Sequence, residues 1–151
     1  MIHLTHVPDG IEAIREFYGD PRDPDFIQRI ETVTLAAPVI STTGVPLTAL
    51  ALHREVARSA DDSLRLLHRF LTPEQWRTIV LGVGYQPLRM KENRSEYHID
   101  AWGIGVTINP HLAPFRAANP LQPELILGIF AERGWRWAAH NHGLAQAAVG
   151  Y

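Results

Sequence analysis

Apolar positions fall at helical intervals in four stretches of the chain, separated by runs rich in proline, glycine and threonine. In the first stretch Ile11, Ile14 and Phe17 follow Asp9-Gly10-Ile11-Glu12, which has capping-box spacing. The pattern predicts a short helix over 10–18, stopped by Gly19-Asp20-Pro21. Residues 20–48 carry no helical period, and Thr32 to Val39 can hold a short extended segment. A second helix is expected over 49–71, with Val56, Ala60, Leu64, Leu67 and Leu71 on one stripe and Arg and Asp residues opposite. Thr72-Pro73-Glu74-Gln75 supplies an N-cap, an N1 proline and a capping partner for a third helix. That helix carries Trp76, Ile79 and Val80 and is expected to end near Gly82. Val83 to Met90 and Ile104 to Ile108 read as strands, with a polar loop after the first from Lys91 to Glu96. Pro123 opens a last helix with Leu125, Ile126, Ile129 and Phe130 inward, and Gly134 closes it. Helices first, strands next and one late helix indicate the α+β class.

Bulk properties narrow the function classes. The 151 residues suit one domain, 1–151, with one core. A net charge of -2 gives no reason to expect a nucleic-acid or anionic-membrane partner. The chain has no cysteine, which excludes disulfides, thiolate catalysis and Cys-ligated zinc. The first ten residues lack a basic start followed by an apolar run, and no apolar stretch reaches the roughly 18–20 residues of a membrane span. A cytoplasmic protein without a membrane partner is expected.

Two blocks carry the informative residues. The first is Gly84-Tyr85-Gln86-Pro87-Leu88-Arg89 followed by His98-Ile99-Asp100-Ala101-Trp102-Gly103-Ile104-Gly105-Val106-Thr107-Ile108-Asn109-Pro110. The second is Gly134-Trp135-Arg136-Trp137-Ala138-Ala139, then His140-Asn141-His142-Gly143-Leu144-Ala145-Gln146. Together they resemble the zinc D-alanyl-D-alanine carboxypeptidase and endolysin family, whose fold is shared with the hedgehog signalling domain. Its central block is a strand ending in Gly-Tyr-x-x-Arg, a loop, then S-x-H-A-W-G-x-A-x-D-x-N-P. A helix, Gly-Trp-x-Trp-Gly-Gly and D-x-M-H-F-Q follow. The resemblance also touches Gly10 to Ile14 and the run from His53 to Ala57, so it spans most of the chain. It implies a small antiparallel sheet with helices packed on it, a bacterial or phage setting, and amide hydrolysis in peptidoglycan-type peptides. In that family His, Asp and a distal His hold zinc, a carboxylate beside the distal His is the general base, and an arginine stabilises the oxyanion.

The standard ligands are replaced here. Asp100 stands at the first histidine and Thr107 at the aspartate. In the last block Asn141 and Leu144 fall at the catalytic acid and the distal histidine, or His142 and Ala145 if one gap is allowed. Arg89 keeps the arginine position, and His98 stands at the family's serine. Side chains two apart in an extended segment share a side, so His98 and Asp100 are expected to face one cleft. Tyr97, Trp102, Thr107, Trp137 and Asn141 are the candidate substrate contacts. The bland readings are a surface pair for His98 and Asp100, a salt bridge for Arg89, and core packing for Trp102, Trp135 and Trp137. His3, His6, His53, His68 and His111 carry no functional weight.

Three functions stay open. In the first, a repurposed enzyme uses His98 as acid or base beside Asp100, with Arg89 on an anionic group of a small or peptide-like substrate and no cofactor. In the second, His98, Asp100 and His142 (or His140) hold zinc or iron in a rearranged site. In the third, the cleft binds a peptide or cell-wall fragment without turning it over.

Overall fold

The computed structural model describes residues 11–90, 96–110, 124–137 and 148–150. Helix α1 (Ile11–Tyr18) leads through a 3-10 turn (Pro24–Arg29) into two strands, β1 (Ile30–Ser41) and β2 (Pro46–His53). Helices α2 (Arg54–Phe70) and α3 (Pro73–Arg77) and strand β3 (Val80–Leu81) follow. After a second 3-10 turn (Ile99–Ala101) come β4 (Gly105–Thr107), α4 (Glu124–Ala131), β5 (Arg136–Trp137) and β6 (Ala148–Gly150). The α+β class is as expected. The sheet is not the simple antiparallel one. Strands β2-β1-β3 form a mixed sheet, antiparallel between β1 and β2 and parallel between β1 and β3. Strands β4-β6-β5 form a second, antiparallel sheet. The two are stitched where Gly82 N–H donates to the Thr107 carbonyl and Asn109 N–H to the Val80 carbonyl, at 2.9 and 2.8 Å.

The expected helix over 49–71 starts late. Residues 49–53 belong to β2 and pair with Thr34 back to Ile30. Ala and Leu are good helix formers, but pairing with a neighbouring strand overrides that preference. Helix α2 then buries Val56, Ala60, Leu64 and Leu67, the stripe the period marks out. Its N-cap is His53, whose Nδ1 accepts the Glu55 N–H at 3.1 Å. The same fully buried ring donates from Nε2 to the Tyr18 carbonyl at 2.9 Å, tying α1 to the start of α2. Two engaged nitrogens fix the neutral Nε2–H tautomer, and burial pushes this imidazole's pKa below its ordinary value.

Helix α3 has the capping box the sequence indicates. Thr72 Oγ1 accepts from Gln75 N–H, and Gln75 Oε1 accepts from Thr72 N–H. It ends at Arg77 because Ile79 drops into the core and Val80 pairs with β1. The expected strand over 83–90 is a turn instead, with pairing limited to bridges at Gly84 and Met90. The core gathers Tyr18, Phe26, Leu50, Leu52, Leu67, Leu81, Ile104 and Phe130, and each such side chain contributes about 1.5–3 kcal/mol. No helix among the described residues is long and apolar enough to cross a membrane.

Two motif glycines sit against β2. Gly84 has φ 89°, and a Cβ there would overlap the Ala51 carbonyl oxygen. Gly103 has φ 71°, and its Cβ would lie 2.9 Å from the His53 nitrogen. Gly128, inside α4, has open space around it. Replacing Gly84 with Ala is therefore expected to lower stability by about 2 kcal/mol or more, while Gly128→Ala raises it by roughly 0.5–1 kcal/mol. Urea midpoints of the two variants against the parent protein check this, and equal effects would contradict it.

Candidate active site

The outer edge of β2 organises the site. Tyr85 N–H donates to the Ala51 carbonyl at 2.7 Å and His53 N–H to the Gly103 carbonyl at 2.8 Å. The segments around Tyr85 and Gly103 are thus hung on one strand, two residues apart. Between them the chain turns at Gln86–Arg89, closed by Arg89 N–H donating to the Gln86 carbonyl at 3.1 Å. Pro87 takes the second place, and Leu88 takes the third with φ 55°. A type II turn favours glycine there, so a leucine is strained by about 1 kcal/mol. The turn presents Arg89, and His98 N–H donates to the Arg89 carbonyl at 2.8 Å.

His98 and Asp100 do not lie on an extended segment. His98 is the N-cap of the 3-10 turn, and its Nδ1 accepts the Asp100 N–H at 3.1 Å. The approach of the two side chains therefore comes from a turn and not from strand alternation. Asp100 is 3% exposed. Its Oδ2 accepts from Arg89 Nη1 at 2.5 Å and from Gln86 Nε2 at 3.3 Å. Gln86 N–H also donates to the Asp100 carbonyl at 2.9 Å. A Cβ on Gly105 would come within 3.2 Å of Asp100 Oδ1 and closer still to Ile99. Burial raises the Asp100 carboxyl to about 6 from its ordinary 3.8, against the lowering by the Arg89 charge and hydrogen bond.

These contacts define what the groups can do. His98 Nδ1 and Asp100 Oδ2 lie 3.5 Å apart, but no proton bridges them. A backbone N–H can only donate, so Nδ1 is an acceptor and the proton of the neutral ring sits on Nε2. In this state Nε2 has no lone pair for a metal or for proton abstraction. Asp100 does not orient His98 as a carboxylate orients a catalytic histidine; its own amide holds the ring. The ionisable group of this pair whose pKa moves toward neutrality is Asp100.

The other candidates divide. Trp102 is fully buried and its Nε1 donates to the Gly19 carbonyl at 2.8 Å, so it is a core residue and not a substrate contact. Trp135 is likewise buried, with Nε1 donating to Ser59 Oγ at 2.8 Å. Tyr97 is half-buried, edge-on to Trp102. Thr107 is half-buried on the strand face of Gly105, against Gly82. Trp137 lies on β5, paired with Val149. Asn141 and His142, with His140, lie outside the described residues. Sequence reasoning passed over Gln86 and Gly105. Gln86 sits within the quoted Gly84–Arg89 motif, but nothing in its spacing marks it as a ligand of Asp100.

A zinc or iron ion fits these donors poorly. Asp100 Oδ2 already carries the guanidinium, and His98 Nε2 holds a proton where a ligand histidine needs its lone pair. Among the described residues no three His, Asp or Glu side chains are grouped to hold a metal. The chain matches no family model, no curated protein and no solved structure.

Stability carries the signature of Asp100. Its folded pKa lies above the unfolded one, so the folded chain binds the extra proton between about 4 and about 6. The sign is a loss: the contribution of Asp100 is fully present below about 4 and is lost, by roughly 3 kcal/mol, as pH rises through about 6, then stays flat. Asp100→Asn should remove this slope. Urea midpoints of the two proteins across that window measure it, and parallel profiles would contradict the assignment.

Proposed function

We propose that the chain is a divergent relative of the zinc D-alanyl-D-alanine carboxypeptidases, with their hedgehog-like fold, working without the family's metal. The supporting observation is the contact between Arg89 and Asp100. Where the resembled pattern has its first histidine ligand, a carboxylate stands, and a guanidinium rather than a metal ion neutralises it. The histidine at the pattern's serine position has a structural account: serine is a common N-cap, and His98 Nδ1 fills that role here.

In this reading the substrate is small or peptide-like and carries a carboxylate, and the favoured reaction is hydrolysis of an amide. Asp100 takes the proton from the attacking water and returns it to the leaving nitrogen, for which a pKa near neutrality is well placed. Arg89, about one-third exposed in its side chain, reaches outward to the substrate's anionic group or oxyanion. His98 and Gln86 are positioning residues that hold the turn and the carboxylate. A second reading, a peptide- or cell-wall-binding module without turnover, draws on the burial of Asp100.

Release of D-alanine from a peptide ending in D-alanyl-D-alanine separates these readings. The proposal expects turnover that persists in EDTA, and a metal content far below one ion per chain. Asp100→Asn should then lower kcat by about 10²–10⁴, while His98→Asn, which keeps a cap acceptor, stays within about tenfold of the parent. Stoichiometric zinc with EDTA-sensitive turnover would establish the metal reading instead. Binding without turnover would establish the module.

A further inference from the structure

Among the described residues, strand β1 is paired on one side only along its first half. On β2, Ala51 and His53 direct their N–H groups outward, to Val83 and Gly103. Leu50 and Leu52 must therefore face β1 and bond its Val33 and Glu31. Alternation then turns the N–H and C=O of Ile30, Thr32 and Thr34 away from β2. Ile30 N–H is used locally, by the Ile27 carbonyl. Thr32 and Thr34 have no backbone partner on that side among the described residues. Further along, β3 covers the edge at Ile40 and Ser41, and Trp76 Nε1 takes the Ala37 carbonyl at 3.1 Å. The gap between these closures is a groove of about 340 Å³, lined by Glu31 to Thr34 on the strand and by Ala57, Arg58, Asp61 and Arg65 of α2.

We infer that this groove binds an extended peptide bearing a single free carboxylate, which adds a strand to β1 beside α2. Two features select that occupant. The open donors and acceptors recur every second residue, a period that extended backbone matches. The helix wall offers one uncommitted cation. Arg65 is held by Asp61 at 2.9 Å, whereas Arg58 is exposed and has no ion-pair partner among the described residues. Glu31, exposed on the strand side, disfavours a run of acidic residues, so one carboxylate reaching Arg58 is the arrangement the charges accept. The groove shares no residue with the Asp100 centre, and this inference stands without that reading.

The test uses the full chain and an N-acetylated pentapeptide of alternating valine and threonine with a free C-terminal carboxylate. Its comparisons are the same peptide as the C-terminal amide and as a form N-methylated at alternate residues. In ¹⁵N-resolved NMR the Thr32 and Thr34 amide signals should shift, and their exchange with solvent should slow. The N-methylated peptide should not bind. Arg58→Gln should weaken the acid peptide by about fivefold and leave the amide peptide unchanged. Thr34→Pro, which removes an outward N–H without breaking the ladder to β2, should abolish both. Silence of the two amides up to about 1 mM acid peptide, equal binding of the N-methylated form, or equal affinity for acid and amide peptides would overturn the inference. So would a dimer in sedimentation with Thr32 and Thr34 already protected, since that would make a second copy the occupant.

Discussion

The site exists because two loops can touch the backbone of β2. Tyr85 and Gly103 bond residues Ala51 and His53 of that strand, and the approach leaves no room for a side chain at Gly84 or at Gly103. A Cβ at either glycine would push its loop off the strand. Arg89 would then lose its register with Asp100, which lies three residues before Gly103. The same strand ends in His53, whose ring caps α2 and holds α1. One strand edge thus sets the two loops, the start of the longest helix and the end of the first. Burial of Leu50 and Leu52 on its other face keeps it in place.

On that frame the decisive contest is between desolvation and pairing at Asp100. Burial favours the neutral acid, and Arg89 favours the carboxylate. Desolvation wins in part, leaving the group near 6 rather than low or strongly raised. A buried carboxylate without its cation would be far more costly, so Arg89 is needed for ionisation near neutral pH. That need also bears on a metal. An ion on Asp100 Oδ2 would meet the guanidinium 2.5 Å away and leave two cations side by side. The local charge is already balanced by the Arg89–Asp100 pair.

Much of the fold was legible and some of it was not, for identifiable reasons. The stripe Val56, Ala60, Leu64, Leu67 marked α2, and Thr72 to Gln75 marked α3, because helix period and capping chemistry are local. The start of α2 was misplaced because Ala49 to His53 has helical composition, and only pairing with Thr34 to Ile30 makes it a strand. Thr32 to Val39 was correctly extended but is the middle of a twelve-residue strand. Pro87 and a left-handed Leu88 break the strand expected over 83–90. At the site the sequence placed Arg89, His98 and Asp100 together, and the structure does the same. It could not show who donates to whom. Histidine is not among the usual N-cap residues, so nothing in the pattern marks the cap.

The two caps together argue that His98 is structural. His53 and His98 each precede a helical turn, and each accepts the N–H of the residue two places on through Nδ1, both at 3.1 Å. His53 is fully buried, and its second nitrogen is spent on a backbone carbonyl. The same cap geometry at two places in one chain accounts for the His98 ring's orientation as it does for that of His53. A proton on Nδ1 of either ring would set a donor against a donor at its cap. In the proposed reading the proton-transfer role therefore falls to Asp100, with Arg89 favouring its charged form.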